Sequence, residues 1–413
     1  MTTRRTFLML LGPGLLVAAT GVGAGDLAIG AITGSRLGVA ILWAVVVGAG
    51  LKFAMSEGLA RWQIATGETI LEGALLRLPA PVRWIFLIYL LTWSWFVGSA
   101  LISACGVTTH ALIPVLDDPI RGKVVFGIAS SLLGLVLVRR GGFRLFEKFM
   151  RVCIVFMFVT VVLTAGLLVE SWSEVATGLV VPRIPDAGGA GVPTTIALIG
   201  GVGGTLTVIC YSYWIRETGQ DGPDDLAICR ADLTIGYSVT ALFGIAMVIL
   251  GSGIEIEGSG AGLVVALADR LEEPLGPFAR WMFLAGAFGA VFSSLLGVWQ
   301  SAPYVFADFC AIISRQDNSS HSPIDTSSRP YRGYLYAIAL VPMVGLWVPF
   351  KEMQQLCAIL GALFFPMLAI ALLWLNGQSE WVGQKFKNRW LSVSILTATL
   401  LFFLALEIQR WLG

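Results

Sequence analysis

Gly21-Val22-Gly23-Ala24-Gly25-Asp26 interrupts an apolar stretch of membrane-spanning length near the N-terminus, and its one acid follows directly after the cut. In the second half of the chain Gly200-Gly201-Val202-Gly203-Gly204 makes a similar cut and leads into Cys210-Tyr211-Ser212-Tyr213. A matched pair of interrupted hydrophobic segments, one in each half, is the sequence mark of a secondary transporter's binding site. Broken helices bare backbone amides and carbonyls at mid-membrane, which is tolerable only where they line a protein cavity. The pattern implies an all-α polytopic membrane protein whose function lies at the two cuts.

Composition agrees. The 413 residues are 56% hydrophobic and 13% charged, with mean hydropathy +0.82, whereas about a quarter of a soluble domain is charged. Charges cluster between apolar stretches of roughly 17 to 25 residues, enough to cross about 30 Å of hydrocarbon. About eleven such stretches begin near residues 8, 37, 82, 123, 149, 196, 232, 280, 333, 356 and 390. With the N-terminus inside, most of the 27 Lys and Arg fall on the cytoplasmic side, among them Arg4, Arg5, Arg139, Arg140 and Lys148. That asymmetry predicts a protein integral to the cytoplasmic (inner) membrane, N-terminus in and C-terminus out.

Several classes drop out. A net charge of +1 offers no basic face to neutralise phosphates, so no nucleic-acid partner is expected. No Gly-Lys-Ser/Thr follows the glycine-rich run Gly188 to Gly204, which removes a phosphate loop and an ATP-driven pump. The six cysteines are scattered without disulfide or metal-site spacing. The start Thr3-Arg4-Arg5-Thr6-Phe7-Leu8 has the look of a twin-arginine export signal, but with ten further spans behind it the arginines read as a cytoplasmic anchor. No enzyme and no permanently bound cofactor is expected. The partners are the lipid bilayer and a small ion or small-molecule substrate.

Segments one to five (residues 8–169) and six to ten (residues 196–376) can be laid over one another, each set opening with a cut helix. An odd number of spans per set turns the second set upside down, giving an inverted repeat. Residues 390–406 form an extra eleventh segment, and the whole chain, 1–413, is one transmembrane domain. Ser314 to Arg332 reads as a cytoplasmic loop, and Glu170 to Pro193 as an external loop joining the halves.

Asp26 leads the candidate site residues. A carboxylate within the membrane costs several kcal/mol unless paired or wet, so by default it marks function. It could ligate a cation beside unwound carbonyls or hold a proton; it could also simply cap the second half-helix. After the second cut, Cys210, Tyr211, Ser212 and Tyr213 offer a thiol, two phenols and a hydroxyl, and Trp214 extends the aromatic run. Arg216 and Glu217 follow in the cytoplasmic half. Lys52 and Glu57 in the second segment are supporting candidates, read equally as a structural ion pair or as side chains snorkelling to the cytoplasm. Trp93-Ser94-Trp95, Ser293-Ser294 and Trp299-Gln300-Ser301 add polar groups that in a bundle usually serve helix packing.

Taken together, Gly12-Pro13, Leu16-Val17, Gly25, Leu42-Trp43, Ala60-Arg61 and Ile64-Ala65-Thr66-Gly67, with Phe292-Ser293-Ser294 and Phe365-Pro366, resemble the natural resistance-associated macrophage protein (Nramp) family. The resemblance implies proton-coupled divalent metal transport and the inverted five-helix repeat shared with sodium-coupled amino-acid symporters, with helices 1 and 6 broken. The site motifs depart from it. Where the family reads Asp-Pro-Gly-Asn, this chain reads Gly23-Ala24-Gly25-Asp26, and Met-Pro-His becomes Val208-Ile209-Cys210. Segment three lacks the family's acids between Phe86 and Gly106. Gly23, Asp26 and Cys210 are thus positional equivalents with altered chemistry, and Asp26 with Cys210 are the candidate metal ligands. Losing a thioether and keeping one carboxylate moves preference away from iron and manganese and towards harder cations or none, and one acid with carbonyls could accept partly hydrated magnesium.

Three functions remain open. The first is a carrier of a divalent cation, with Asp26 and Cys210 or Tyr211 converging on one site. The second is an ion-coupled carrier of a small organic solute whose amine pairs with Asp26 among Tyr211, Tyr213, Trp214, Trp95 and Trp299. The third is a non-transporting membrane sensor.

Overall fold

The computed structural model describes residues 23–140, 144–218, 225–255, 260, 262–314 and 325–412; the side chains at 24, 144–154, 214, 216–218 and 406–412 lie outside that description. The run Gly21-Val22, Arg4 and Arg5, and His321 therefore fall outside it as well. Among the described residues the chain is helical with no strand. Its first half holds α1 (Ala24–Leu37), α2 (Leu42–Thr66), α3 (Ile70–Arg77), α4 (Ala80–Leu112), α5 (Pro119–Arg140), α6 (Arg144–Leu167) and α7 (Trp172–Val180). Its second half holds α8 (Gly191–Gly201), α9 (Cys210–Thr218), α10 (Asp225–Ser252), α11 (Leu263–Leu275), α12 (Pro277–Ser314) and α13 (Arg329–Leu340). The chain closes with α14 (Phe350–Ala362), α15 (Phe364–Leu375), α16 (Ser379–Phe386) and α17 (Trp390–Leu412).

Helix is the only local solution for such runs, because hydrocarbon offers no partner for backbone amides and carbonyls. The helices are apolar on both sides. On α4, Leu90, Trp93 and Val97 are buried, while Trp84, Ile85, Ile88 and Leu91 on the opposite side are exposed. In water such a stripe would be an aggregation surface; in a bilayer it is the lipid face. Seven helical runs among the described residues are long and apolar enough to span, and the pair Val155–Leu167 and Trp172–Val180, bent by 113°, would make an eighth. The chain is an integral membrane protein. The sequence reading calls for about eleven spans; one of the seven runs, Gly25–Thr66, is 42 residues long and takes in both α1 and α2.

Small residues set how close the helices come. α1 packs along α10, where a Cβ on Gly34 would lie 2.1 Å from the Val248 carbonyl oxygen and one on Gly251 would lie 2.3 Å from that of Ala31. Backbones this close exclude any larger side chain, as small residues at membrane helix interfaces allow. Gly34→Leu is accordingly expected to push α1 off α10 and to cost at least about 3 kcal/mol, at the upper end of overpacking effects. A thermal melt of the purified variant checks this, with Gly50→Leu, which meets nothing within 4 Å, as the neutral control.

One stretch differs from its expected form. Residues 170–193, read as an external loop, contain helix α7. The Ser171 hydroxyl caps it by accepting from the Glu174 amide at 3.3 Å, and Val175 and Gly178 are buried. Gly178 sits against the Val39 carbonyl, so a short amphipathic helix lies over the turn between α1 and α2. Its nine residues are too few for a periodic signal to stand out from the glycines and prolines that follow.

Candidate functional site

The second cut is a break in the structure. α8 ends at Gly201, Val202 is extended, and Gly203 and Gly204 take φ of 79° and 87° before a 3-10 turn over Leu206–Ile209 leads into α9. Only glycine takes such φ values without a steric cost. α1 begins at Ala24, with the Leu27 amide bonded to the Gly23 carbonyl at 3.1 Å. Asp26 is therefore not the N-cap. It stands in the first turn, and Gly23 occupies the cap position with no side-chain bond.

The start of α1 touches this break. A Cβ on Gly25 would come within 3.2 Å of the Gly201 carbonyl oxygen. Asp26, fully buried, accepts the Gly203 amide at 3.1 Å on one carboxylate oxygen and 3.4 Å on the other. The positive end of the α1 helix dipole adds to the stabilisation of that carboxylate.

Lys52 completes the junction from α2. It is 1% exposed, so it does not snorkel. Its Nζ donates to the Gly200 carbonyl at 3.1 Å and lies 5.0 Å from the centre of the Phe365 ring. Glu57, one and a half turns further along α2, goes elsewhere: it binds Arg61 at 2.8 Å and Arg230 at 2.7 Å. Arg61 also donates to the Phe386 carbonyl at 3.2 Å and to the Asn388 side chain at 3.0 Å.

The residues after the second break pack inwards. The Tyr211 hydroxyl donates to the Cys229 carbonyl at 3.3 Å, and Ser212 to that of Ile209 at 2.7 Å. Tyr213 donates to Asp308 at 2.7 Å and stands edge-on to Tyr304. Cys210 is buried. The side chains of Trp214, Arg216 and Glu217 lie outside the described residues. Asp308, 5% exposed in α12, was passed over in the sequence although an acid inside an apolar run was available as a signal.

A cavity of about 80 Å³ opens beside the junction. The breaks contribute Gly25, Gly204, Thr205 and Thr207, and the surrounding helices contribute Trp93, Ser294, Gln354 and Cys357. Trp93 donates to the Thr205 hydroxyl at 2.8 Å, and Gln354 uses its amide nitrogen on the Ala100 carbonyl at 2.8 Å. None of the described lining residues is charged, and Asp26, Lys52, Cys210, Tyr211 and Tyr213 are not among them. Among the described residues no three His, Cys, Asp or Glu side chains gather as metal ligands would. The cavity groups Thr205, Thr207, Gln354 and Cys357 carry no motif of their own and were missed in the sequence, apart from their closeness to the second cut.

Comparison with known proteins follows this geometry. The family model described as natural resistance-associated macrophage protein-like matches residues 14–412. A divalent metal cation transporter MntH of Verminephrobacter eiseniae is 24% identical over 405 residues, which is 94% of this chain and 85% of that protein. An MntH of Klebsiella pneumoniae is 28% identical over 186 residues, 44% of this chain and 43% of that protein. The crystal structure of a mutant Eremococcus coleocola manganese transporter shares the fold, with a TM-score of 0.71 at 19% identity over 100% of this chain and 90% of that one. With the start of α1 packed on the break after α8 beside a cavity, and a family match over nearly its whole length, the chain belongs to the Nramp family.

Proposed function

We propose that the protein is a secondary carrier of a divalent metal cation, working by alternating access and holding its cargo in the cavity between the two breaks. The observation that carries this reading is the junction itself: the start of α1 meets the break after α8 at Gly25, Asp26, Gly201 and Gly203, beside a cavity whose largely apolar walls carry a few polar groups. The relatives named as divalent metal transporters point to the cargo. On this reading residues 8–169 and 196–376 move as inverted repeats in a cytoplasmic membrane, N-terminus inside.

Asp26 and Cys210 as joint metal ligands are what these contacts support least, because Asp26 is taken by Gly203 and by the charge of Lys52. Neutral oxygens are the alternative. Thr207, Ser294, the Gln354 carbonyl oxygen and bare backbone carbonyls are hard donors, with the Cys357 thiol as the one soft group. A liquid-like water takes about 30 Å³, so the cavity has room for a cation with part of its hydration shell. Keeping that shell limits the desolvation penalty that an uncharged site cannot offset. Magnesium, which gives up water reluctantly, suits such a site, and few charged ligands imply a weak affinity, on the order of 10⁻³ M.

Uptake of Mg²⁺ and Mn²⁺ into proteoliposomes, read by trapped indicators, tests the proposal. Saturable uptake is expected, and Thr207→Val, which removes one donor at constant shape, should lower it about tenfold, equivalent to ~1.4 kcal/mol. Inserted protein that moves neither ion would overturn the reading. The uncharged lining with Trp93 exposed to it favours, as a second reading, a small neutral organic solute.

A further inference from the structure

We infer that Lys52 is a tethered cation: its ammonium fills the cation site at the carbonyl end of α8, opposite the start of α1, so no free ion is needed there and Asp26 is not a ligand to the cargo. The site is one that broken helices make by construction. The last carbonyls of a helix lack intrahelical partners and carry the negative end of its dipole, and such half-helix ends are where coupling cations bind in broken-helix carriers. At the end of α8 the Val202 amide satisfies the Leu198 carbonyl at 3.0 Å, and the Gly200 carbonyl is met by Lys52 at 3.1 Å. Opposite it, on the other break, stands the buried Asp26.

Three further observations fit a lysine placed for its charge. Its stem runs past Gly203, where a Cβ would lie 3.4 Å from the Lys52 Cδ, so the glycine that forms the break also leaves the passage clear. Phe365 offers its ring face to the ammonium, a favourable contact for a desolvated cation. Neither Lys52 nor Asp26 lines the cavity, so the pair is walled off from whatever the cavity holds.

The inference rests on the proposed function only for where the cargo sits. It is tested on purified, detergent-solubilised protein by thermal melting in NaCl, choline chloride or methylammonium chloride at constant ionic strength. The wild type should melt at one temperature in all three salts. Lys52→Ala should melt lower in choline and recover at least half of the loss in Na⁺ or methylammonium, saturably. The double variant Lys52→Ala/Asp26→Asn should show no such recovery. A Lys52→Ala protein that melts alike in all three salts, or a recovery that persists without Asp26, would overturn the inference. If Lys52→Ala yields no folded protein, Lys52→Gln, which can still donate to Gly200 but carries no charge, is measured the same way with the same outcomes. Wild-type protein that moves no metal would sink the proposed function and leave this melting result standing.

Discussion

Asp26→Ala should lose about 3–5 kcal/mol of stability, the range seen when one partner of a buried charge pair is removed. Two groups are stranded at once. The ammonium of Lys52, 1% exposed, loses its counter-charge, and the Gly203 amide loses its acceptor. An amide left without a partner in a buried site adds about 1–3 kcal/mol. Lys52→Met alone should be of similar severity, since it leaves Asp26 charged in an apolar junction. The double variant Asp26→Asn/Lys52→Met is expected to recover most of the loss, because the asparagine oxygen still accepts from Gly203 and no unpaired charge remains. A double-mutant cycle of melting temperatures reads the coupling directly. Losses that merely add would mean that the two charges do not depend on each other.

Glu57→Gln comes second, with an expected cost of about 3 kcal/mol. Glu57 lies between two arginines of very different exposure. The Arg61 side chain is 5% exposed and that of Arg230 is 53% exposed. Nearly all of the effect should therefore come from Arg61, which would keep only the Phe386 carbonyl and Asn388 as partners. Arg230→Gln is the matched control and should cost about 1 kcal/mol or less, as a screened pair does. The pair of variants separates two roles. Equal losses would point to a tie between α2 and α10 as the main contribution; a loss confined to Glu57→Gln would place it in the buried Arg61.

Much of the architecture was legible because the membrane imposes it. Long apolar runs must be helices, so α4, α10 and α12 follow from hydropathy alone. Glycines clustered inside such runs must be breaks, so Gly23 to Gly25 and Gly200 to Gly204 could be found without a structure. Asp26 and Lys52 were conspicuous for the same reason, as ions where ions are costly. Helix α7 was not legible, because nine residues beside a run of glycines and prolines show too little periodicity.

The site was legible in place but not in its contacts. Residues 210–213 were read as facing a cavity, yet Tyr211 turns to α10 and Tyr213 to Asp308 of α12. After an irregular stretch such as Val202 to Ile209 the helical phase restarts, and the period that predicts which way a side chain faces no longer applies. The cavity walls come from three further helices, α4, α12 and α14, together with the residues at the cuts, and no local pattern records which of their residues meet.

Sequence by itself determined that this chain crosses the membrane, that glycines cut the segment ahead of Cys210, and that one acid, Asp26, and one lysine, Lys52, stand inside apolar segments. These are one-dimensional properties, set by hydropathy, glycine and the cost of charge in hydrocarbon. Tertiary structure alone decided that Asp26 belongs to Gly203, that Lys52 belongs to Gly200, and that the cavity beside them is uncharged. Those pairings join residues 177 and 148 positions apart, and only the packing of α1, α2 and α8 at the junction brings them within bonding distance.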